Sequence, residues 1–104
     1  MIRHITVTEL DLSQPATIWD VRDAKAYAEG HLKSAKNQPV DELTPELLAT
    51  VPAGEPVYVL CGGGTKAPRA AAMLNGFDDS REIVVLSGGT RKAKAEGLPM
   101  ETGA

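Results

Sequence analysis

The chain holds one cysteine in 104 residues, so no intramolecular disulfide can form and a disulfide-stapled secreted scaffold is excluded. His4 and His31 are the only histidines, too few and too scattered for a four-ligand zinc site. No metal and no cofactor are expected. Aromatic residues are limited to Trp19, Tyr27, Tyr58 and Phe77, which leaves the core to aliphatic side chains and alanine. No lysine–arginine block occurs and the net charge is −3, which argues against a nucleic-acid partner. No apolar window approaches the length of a transmembrane helix, and Met1-Ile2-Arg3-His4-Ile5 lacks the apolar run of a signal peptide. The expected setting is the cytoplasm, without a membrane partner.

What is present describes an ordinary globular protein, with 42 % hydrophobic and 24 % charged residues. The length sets an expectation of a single domain over 1–104, with one core. Apolar runs bounded by turn formers give the coarse map. Residues 5–7 read as a short, edge-type strand, and 17–21 as a better one. A helix over 23–29 has Asp23 as N-cap and Gly30 as its stop. Residues 35–38 form a brief extended segment. Thr44 caps a helix that begins with Pro45, where the missing N–H costs nothing. Val57-Tyr58-Val59-Leu60 is a continuous apolar run, the pattern of a central strand buried on both faces. A helix over 67–75 is expected to end at Gly76, followed by a buried strand over 83–86 and a last helix over 90–96. Only the last few residues look loose. Strands alternating with helices predict an α/β fold, a mostly parallel sheet of about five strands with helices on both faces. Sites in such sheets lie at the carboxyl ends of strands.

Cys61 follows the best strand, and the triplet Gly62-Gly63-Gly64 with Thr65, Lys66 and an alanine-rich helix follows Cys61. Consecutive glycines permit a tight curl with positive φ, so that several N–H groups converge on one point. The helix start directs its unsatisfied N–H groups and dipole to the same place, and Lys66 adds a cation. This is an environment for a sulfur anion, and Cys61 is a candidate nucleophile. A lone cysteine is also commonly a small buried apolar residue. A structural cysteine, however, has no use for a triple-glycine turn with its entropic cost.

Three stretches in order resemble the rhodanese sulfurtransferase family, from about Thr6 to Met100. The first is Trp19-Asp20-Val21-Arg22 with Tyr27-Ala28-Glu29-Gly30-His31-Leu32, Ala35 and Asn37. The second is Cys61-Gly62-Gly63-Gly64-Thr65-Lys66, in the place of the family's six-residue active loop. The third is Leu86-Ser87-Gly88-Gly89 with Gly97-Leu98-Pro99. The resemblance implies a rhodanese-like fold and a persulfide cycle on Cys61. Sulfane sulfur would come from a small donor such as thiosulfate and pass to cyanide, glutathione or a protein thiol. Backbone N–H groups of Gly62, Gly63, Gly64, Thr65 and Lys66 would stabilise the sulfur anion, and Lys66 would attract an anionic donor. The chain departs from the family pattern at Lys66, where arginine is frequent, at Gly62, at Ser34 and at Ala93, where a tryptophan is usual. These departures bear on substrate preference.

Asp20 and Arg22, at a neighbouring strand end, either reach the loop's mouth or pair with each other. Structural support is favoured for Asp20, because strand-end carboxylates satisfy turn N–H groups. His31 reads as structural. Arg69 either adds to the field or is solvated, and Ser87, Gly88 and Gly89 either wall the pocket or simply turn the chain. The related cysteine phosphatases and arsenate reductases need a Cys-x5-Arg spacing, and here that position is Ala67. A module that binds without turnover, or one that carries sulfur for a relay protein, remains the alternative to a thiosulfate sulfurtransferase.

Overall fold

A computed structural model describes residues 1–63 and 65–103 of the chain. Strands β1 (Ile2–Thr6), β2 (Thr17–Asp20), β4 (Lys36–Asn37), β5 (Val57–Leu60) and β6 (Ile83–Ser87) form one sheet in the order β1-β6-β5-β2-β4. Every pairing in it is parallel. The two most apolar runs, β5 and β6, take the interior positions that the hydrophobic pattern requires. A separate antiparallel ribbon joins β3 (His31–Leu32) to β7 (Met100–Glu101). The helices are α1 (Ala24–Glu29), α2 (Pro45–Ala49), α3 (Lys66–Phe77) and α4 (Gly89–Ala95), with single 3-10 turns at Val7–Glu9 and Val40–Glu42. No helix among the described residues is long and apolar enough to cross a membrane.

Alternation along the strands divides the core between the two faces of the sheet. Trp19, Val57, Val59, Ile83 and Val85 pack with Leu48 of α2 and with the Ala67, Ala70, Ala71 and Leu74 stripe of α3. Ile18, Leu60 and Leu86 point the other way, to Val7, Leu32 and Ala93 of α4. Leu60, Ile83 and Leu86 are almost completely buried, and each contributes roughly 1.5–3 kcal/mol by leaving water. Alanines at helical spacing in α3 let its axis approach the sheet closely, which brings the start of α3 up to the end of β5.

The helix caps follow the sequence. The Asp23 carboxylate accepts from Ala26 N–H at 2.8 Å, and Thr44 Oγ1 accepts from Leu47 N–H at 3.0 Å. Three expectations are corrected. Gly76 does not end α3: the helix continues to Phe77 and stops where Asp78 accepts from Ser80 N–H and Oγ, an Asx turn that competes with helix. The first strand begins at Ile2 and is over by Val7, which is fully buried in the 3-10 turn. The C-terminal segment is not loose. Met100 and Glu101 pair with Leu32 and His31, and Gly103 N–H donates to Ala28 O at 2.8 Å.

Candidate active site

Strand β5 carries Cys61 just beyond its carboxyl end, beside the end of β2, where Asp20 stands in register with Leu60. Val21 N–H donates to Leu60 O at 2.9 Å and holds the two strand ends together. Cys61 is 2 % exposed and belongs to the cluster on the α3 face. Ala67, in the first turn of α3, donates its N–H to Cys61 Sγ at 3.4 Å. That N–H is one of the helix-start donors with no partner inside the helix, so it adds to the positive end of the dipole.

The loop is anchored from its other side by α4. Thr90 N–H donates to Cys61 O at 2.8 Å, and Arg91 N–H donates to Gly62 O at 3.0 Å. Gly89 makes this approach possible. Its φ is +57°, and a Cβ there would run into the carbonyl of Cys61. Gly88, at φ +88°, precedes it. Gly89 therefore packs closely against the loop, whereas a Cβ at Gly88 would meet the side chain of Lys92. Gly62 and Gly63 are not among the residues at positive φ, which corrects the expected reason for the glycine run. Gly63 is instead crowded from outside, since a Cβ there would lie 3.0 Å from the Arg91 guanidinium. Gly64 lies outside the described residues.

Asp20 and Arg22 pair with each other. Asp20 is fully buried, and its carboxylate accepts from Arg22 N–H, from Nε at 3.0 Å and from Nη2 at 2.8 Å. Nη2 also donates to Gly30 O at 2.8 Å, and the Asn37 amide donates to the carbonyls of Asp20 and Arg22. The hydrogen bonds it donates to Asp20 hold the Arg22 guanidinium above its ordinary pKa; partial burial opposes this, and the charges of Asp20 and Cys61 reinforce it. Arg22 is thus a fixed cation in the electrostatic reach of Cys61, while Asp20 aims it.

Lys66, the first residue of α3, is exposed, as is Thr65 before it. Arg69 reaches Asp41 at 3.4 Å, with both side chains exposed. His31 is structural: it is buried and stacks on Tyr27 with centroids 3.6 Å apart. Its Nδ1 lies 2.8 Å from the Tyr27 carbonyl, which can only accept, so the proton sits on Nδ1.

Three residues at the site were not singled out from the sequence. Ala67 contributes a backbone N–H, which no side-chain pattern announces. Thr90 and Arg91 come from a distant helix. Arg91 was visible only as a cation two residues after Gly88-Gly89. Thr90 and Arg91, together with Arg22, Gly62 and residues of α1 and β7, wall a cleft of about 690 Å³ beside the loop.

The likeness to known proteins extends over this whole arrangement. The model of the rhodanese-like domain matches residues 6–96. Thiosulfate sulfurtransferase GlpE of Actinobacillus pleuropneumoniae is 33 % identical over 96 residues, which span 90 % of this chain and 85 % of that protein. A rhodanese-like domain protein from Staphylococcus aureus has a TM-score of 0.77 at 28 % identity, covering 98 % of this chain and 99 % of its own. The rhodanese-like domain of an Anabaena protein gives 0.78 at 28 % identity, over 92 % of this chain and 73 % of that one. A Bacillus halodurans protein shares the fold, with a TM-score of 0.83 at 21 % identity over 96 % of this chain and 77 % of that one. A parallel sheet that presents a cysteine to a helix start, matched from residue 6 to residue 96, makes this chain a member of the rhodanese-like family.

Proposed function

We propose that the protein is a sulfurtransferase that carries sulfane sulfur on Cys61, taking it from an anionic donor such as thiosulfate. The observation that carries this reading is the Ala67 N–H aimed at Cys61 Sγ from the start of a twelve-residue helix, with Arg22 fixed nearby. An N–H and a helix dipole directed at one sulfur stabilise negative charge there without reorganising during the reaction. The Cys61 thiolate attacks the outer sulfur of thiosulfate. The bond between that sulfur and the sulfonate sulfur breaks, and sulfite departs with its electron pair. Cys61 is left as a persulfide, still anionic and still in the field of the same groups. A thiophilic acceptor then takes the outer sulfur, and Cys61 leaves as thiolate. This is two-step covalent catalysis with one nucleophile.

Lys66 and Arg91 serve the first step in this scheme as cations at the rim, drawing in the dianion and easing the departure of sulfite. The backbone N–H groups around Gly62, Gly63 and Thr65 cradle the outer sulfur. GlpE of A. pleuropneumoniae bears the name thiosulfate sulfurtransferase, which supports thiosulfate as the first donor to try. The test is thiocyanate formation from thiosulfate and cyanide by the intact protein and by Cys61→Ser. Turnover that the variant lacks, with an unchanged circular dichroism spectrum, supports the proposal. Turnover that survives the substitution contradicts it.

A further inference from the structure

The cleft beside the loop, at about 690 Å³, falls in the range of sites that enclose whole metabolites. Its charges are sorted by wall. Helix α4 supplies Arg91 and Lys94, whereas α1 and β7 supply Glu29 and Glu101. Among the described residues neither Arg91 nor Lys94 takes part in an ion pair, and both are exposed. Arg22 also lines the cleft, but Asp20 already answers its charge. Glu101 has His31 Nε2 at 3.8 Å, too long for a hydrogen bond. One wall is thus left cationic and another anionic, which suits a guest bearing both signs better than a simple anion. Thr90, in the same wall as Arg91, is 7 % exposed, and its hydroxyl is a buried side-chain oxygen without a hydrogen-bond partner among the described residues. That state costs free energy unless a guest supplies the bond. A helical threonine has two χ1 rotamers open to it, and rotation between them lets the hydroxyl meet a guest.

We infer that this cleft is a regulatory site for a short zwitterionic peptide, with a free carboxylate at one end and a free ammonium group at the other. The carboxylate lies at Arg91 and Lys94, the ammonium group at Glu29 and Glu101, and Thr90 bonds the peptide near its carboxylate. A single amino acid holds its two charges on one carbon, whereas a tripeptide separates them by up to roughly 10 Å and fills more of the cleft. The guest need not touch Cys61. The Arg91 guanidinium also covers Gly63 of the active loop, where a Cβ would lie 3.0 Å from its Nη1 and 3.4 Å from its Nη2. No ion pair among the described residues fixes it there. A carboxylate in the cleft therefore competes with the loop for Arg91 and draws the guanidinium off Gly63. The bond from Arg91 N–H to Gly62 O belongs to the backbone and stays, so the loop keeps its anchor. Occupancy removes one cation from the rim and slows loading from an anionic donor. That effect on loading rests on the sulfur-transfer reading above, whereas the site itself does not.

The first test is binding without chemistry. Triglycine, added to the protein before any sulfur donor, should give saturable NMR shifts at about millimolar concentration, centred on Thr90, Lys94 and Glu101 and reaching the Gly63 amide. N-acetyltriglycine lacks the ammonium group and triglycinamide the carboxylate, and each should bind roughly three- to fivefold more weakly, the loss expected for an exposed charge pair. Lys94→Ala should weaken triglycine but not triglycinamide, and Glu101→Gln should weaken triglycine but not N-acetyltriglycine. Thr90→Val should fold normally and weaken triglycine about threefold. No saturable shifts, or equal affinity for the three peptides, overturns the site. The second test is the rate at which thiosulfate loads Cys61. Saturating triglycine should slow it roughly three- to fivefold, while Glu101→Gln should load like the unaltered protein and need more triglycine for the same effect. A bound peptide that leaves the Gly63 amide and the loading rate unmoved overturns the regulatory role. Saturable triglycine binding in a protein that gains no persulfide from thiosulfate or polysulfide supports the peptide site and refutes the sulfur-transfer reading instead.

Discussion

Replacing Gly89 by alanine should damage the protein more than replacing any other glycine of the same backbone class, and Gly97 provides the control. Both residues have positive φ, +57° at Gly89 and +75° at Gly97. An alanine at either position bears the left-handed strain, about 1–2 kcal/mol. At Gly97 nothing lies within 4 Å of the new Cβ, so the cost stops there. At Gly89 the new Cβ meets the backbone of Cys61 and Gly62, which has no flexible end to move aside. The start of α4 must retreat, and the hydrogen bonds from Thr90 N–H and Arg91 N–H to the loop lengthen or break. Each is worth about 0.5–1.5 kcal/mol, so Gly89→Ala should cost about 2–5 kcal/mol in all. Urea unfolding of the two variants measures the difference, and thermal melts should show Gly89→Ala lower by roughly 4–8 °C per kcal/mol. Sulfur loading of Cys61 should fall as well, since the same bonds shape the loop. Equal destabilisation by the two substitutions would refute the claim that α4 clamps the active loop through a glycine-only contact.

Lys66→Ala should slow loading from thiosulfate about three- to tenfold while hardly changing a neutral polysulfane donor, as expected for one exposed charge; equal losses for both donors contradict its steering role. Arg81 is 8 % exposed and donates to the carbonyls of Pro52, Glu55 and Val51. Arg81→Met should therefore cost about 2–4 kcal/mol in urea unfolding, because buried acceptors lose their donors, and a loss below about 1 kcal/mol contradicts that. Asp78 and Asp11 are held below 3.8, first by the hydroxyls of Ser80 and Ser13 and then by those residues' N–H groups. A folded-state carboxyl with a depressed pKa stabilises fully above the unfolded value and loses that contribution as pH falls through the folded one. Stability should accordingly drop below pH 3.8. In an NMR titration Ser80→Ala should return the Asp78 carboxyl toward 3.8, and an unmoved titration contradicts the assignment.

The parallel sheet was legible because Val57–Leu60 and Ile83–Ser87 are apolar without interruption, and only a strand covered on both faces tolerates that. The caps at Asp23 and Thr44 were legible because they depend on one side chain and its nearest neighbours. The ribbon of β3 and β7 was not. Two-residue strands have no period to detect, and their pairing joins residues far apart in sequence. The stop of α3 was misplaced for a related reason: a glycine permits a helix end, but Asp78 with Ser80 enforces one. At the site, Cys61 and the Asp20–Arg22 pair could be read from their strand ends. The inward Ala67 N–H, the Gly89 contact and the Arg91 guanidinium over Gly63 depend on how α3 and α4 dock. Tertiary packing decides that, and no local pattern encodes it.

The central claim is that Cys61 carries sulfur in covalent form, and intact-protein mass spectrometry addresses it directly. The protein is measured before and after incubation with thiosulfate, and again after cyanide. The account predicts a gain of one sulfur atom located on Cys61, absent in Cys61→Ser, and removed by cyanide as thiocyanate. An unchanged mass with thiosulfate, polysulfide and mercaptopyruvate alike would contradict it, and the buried cysteine would then be a packing residue of the α3 face.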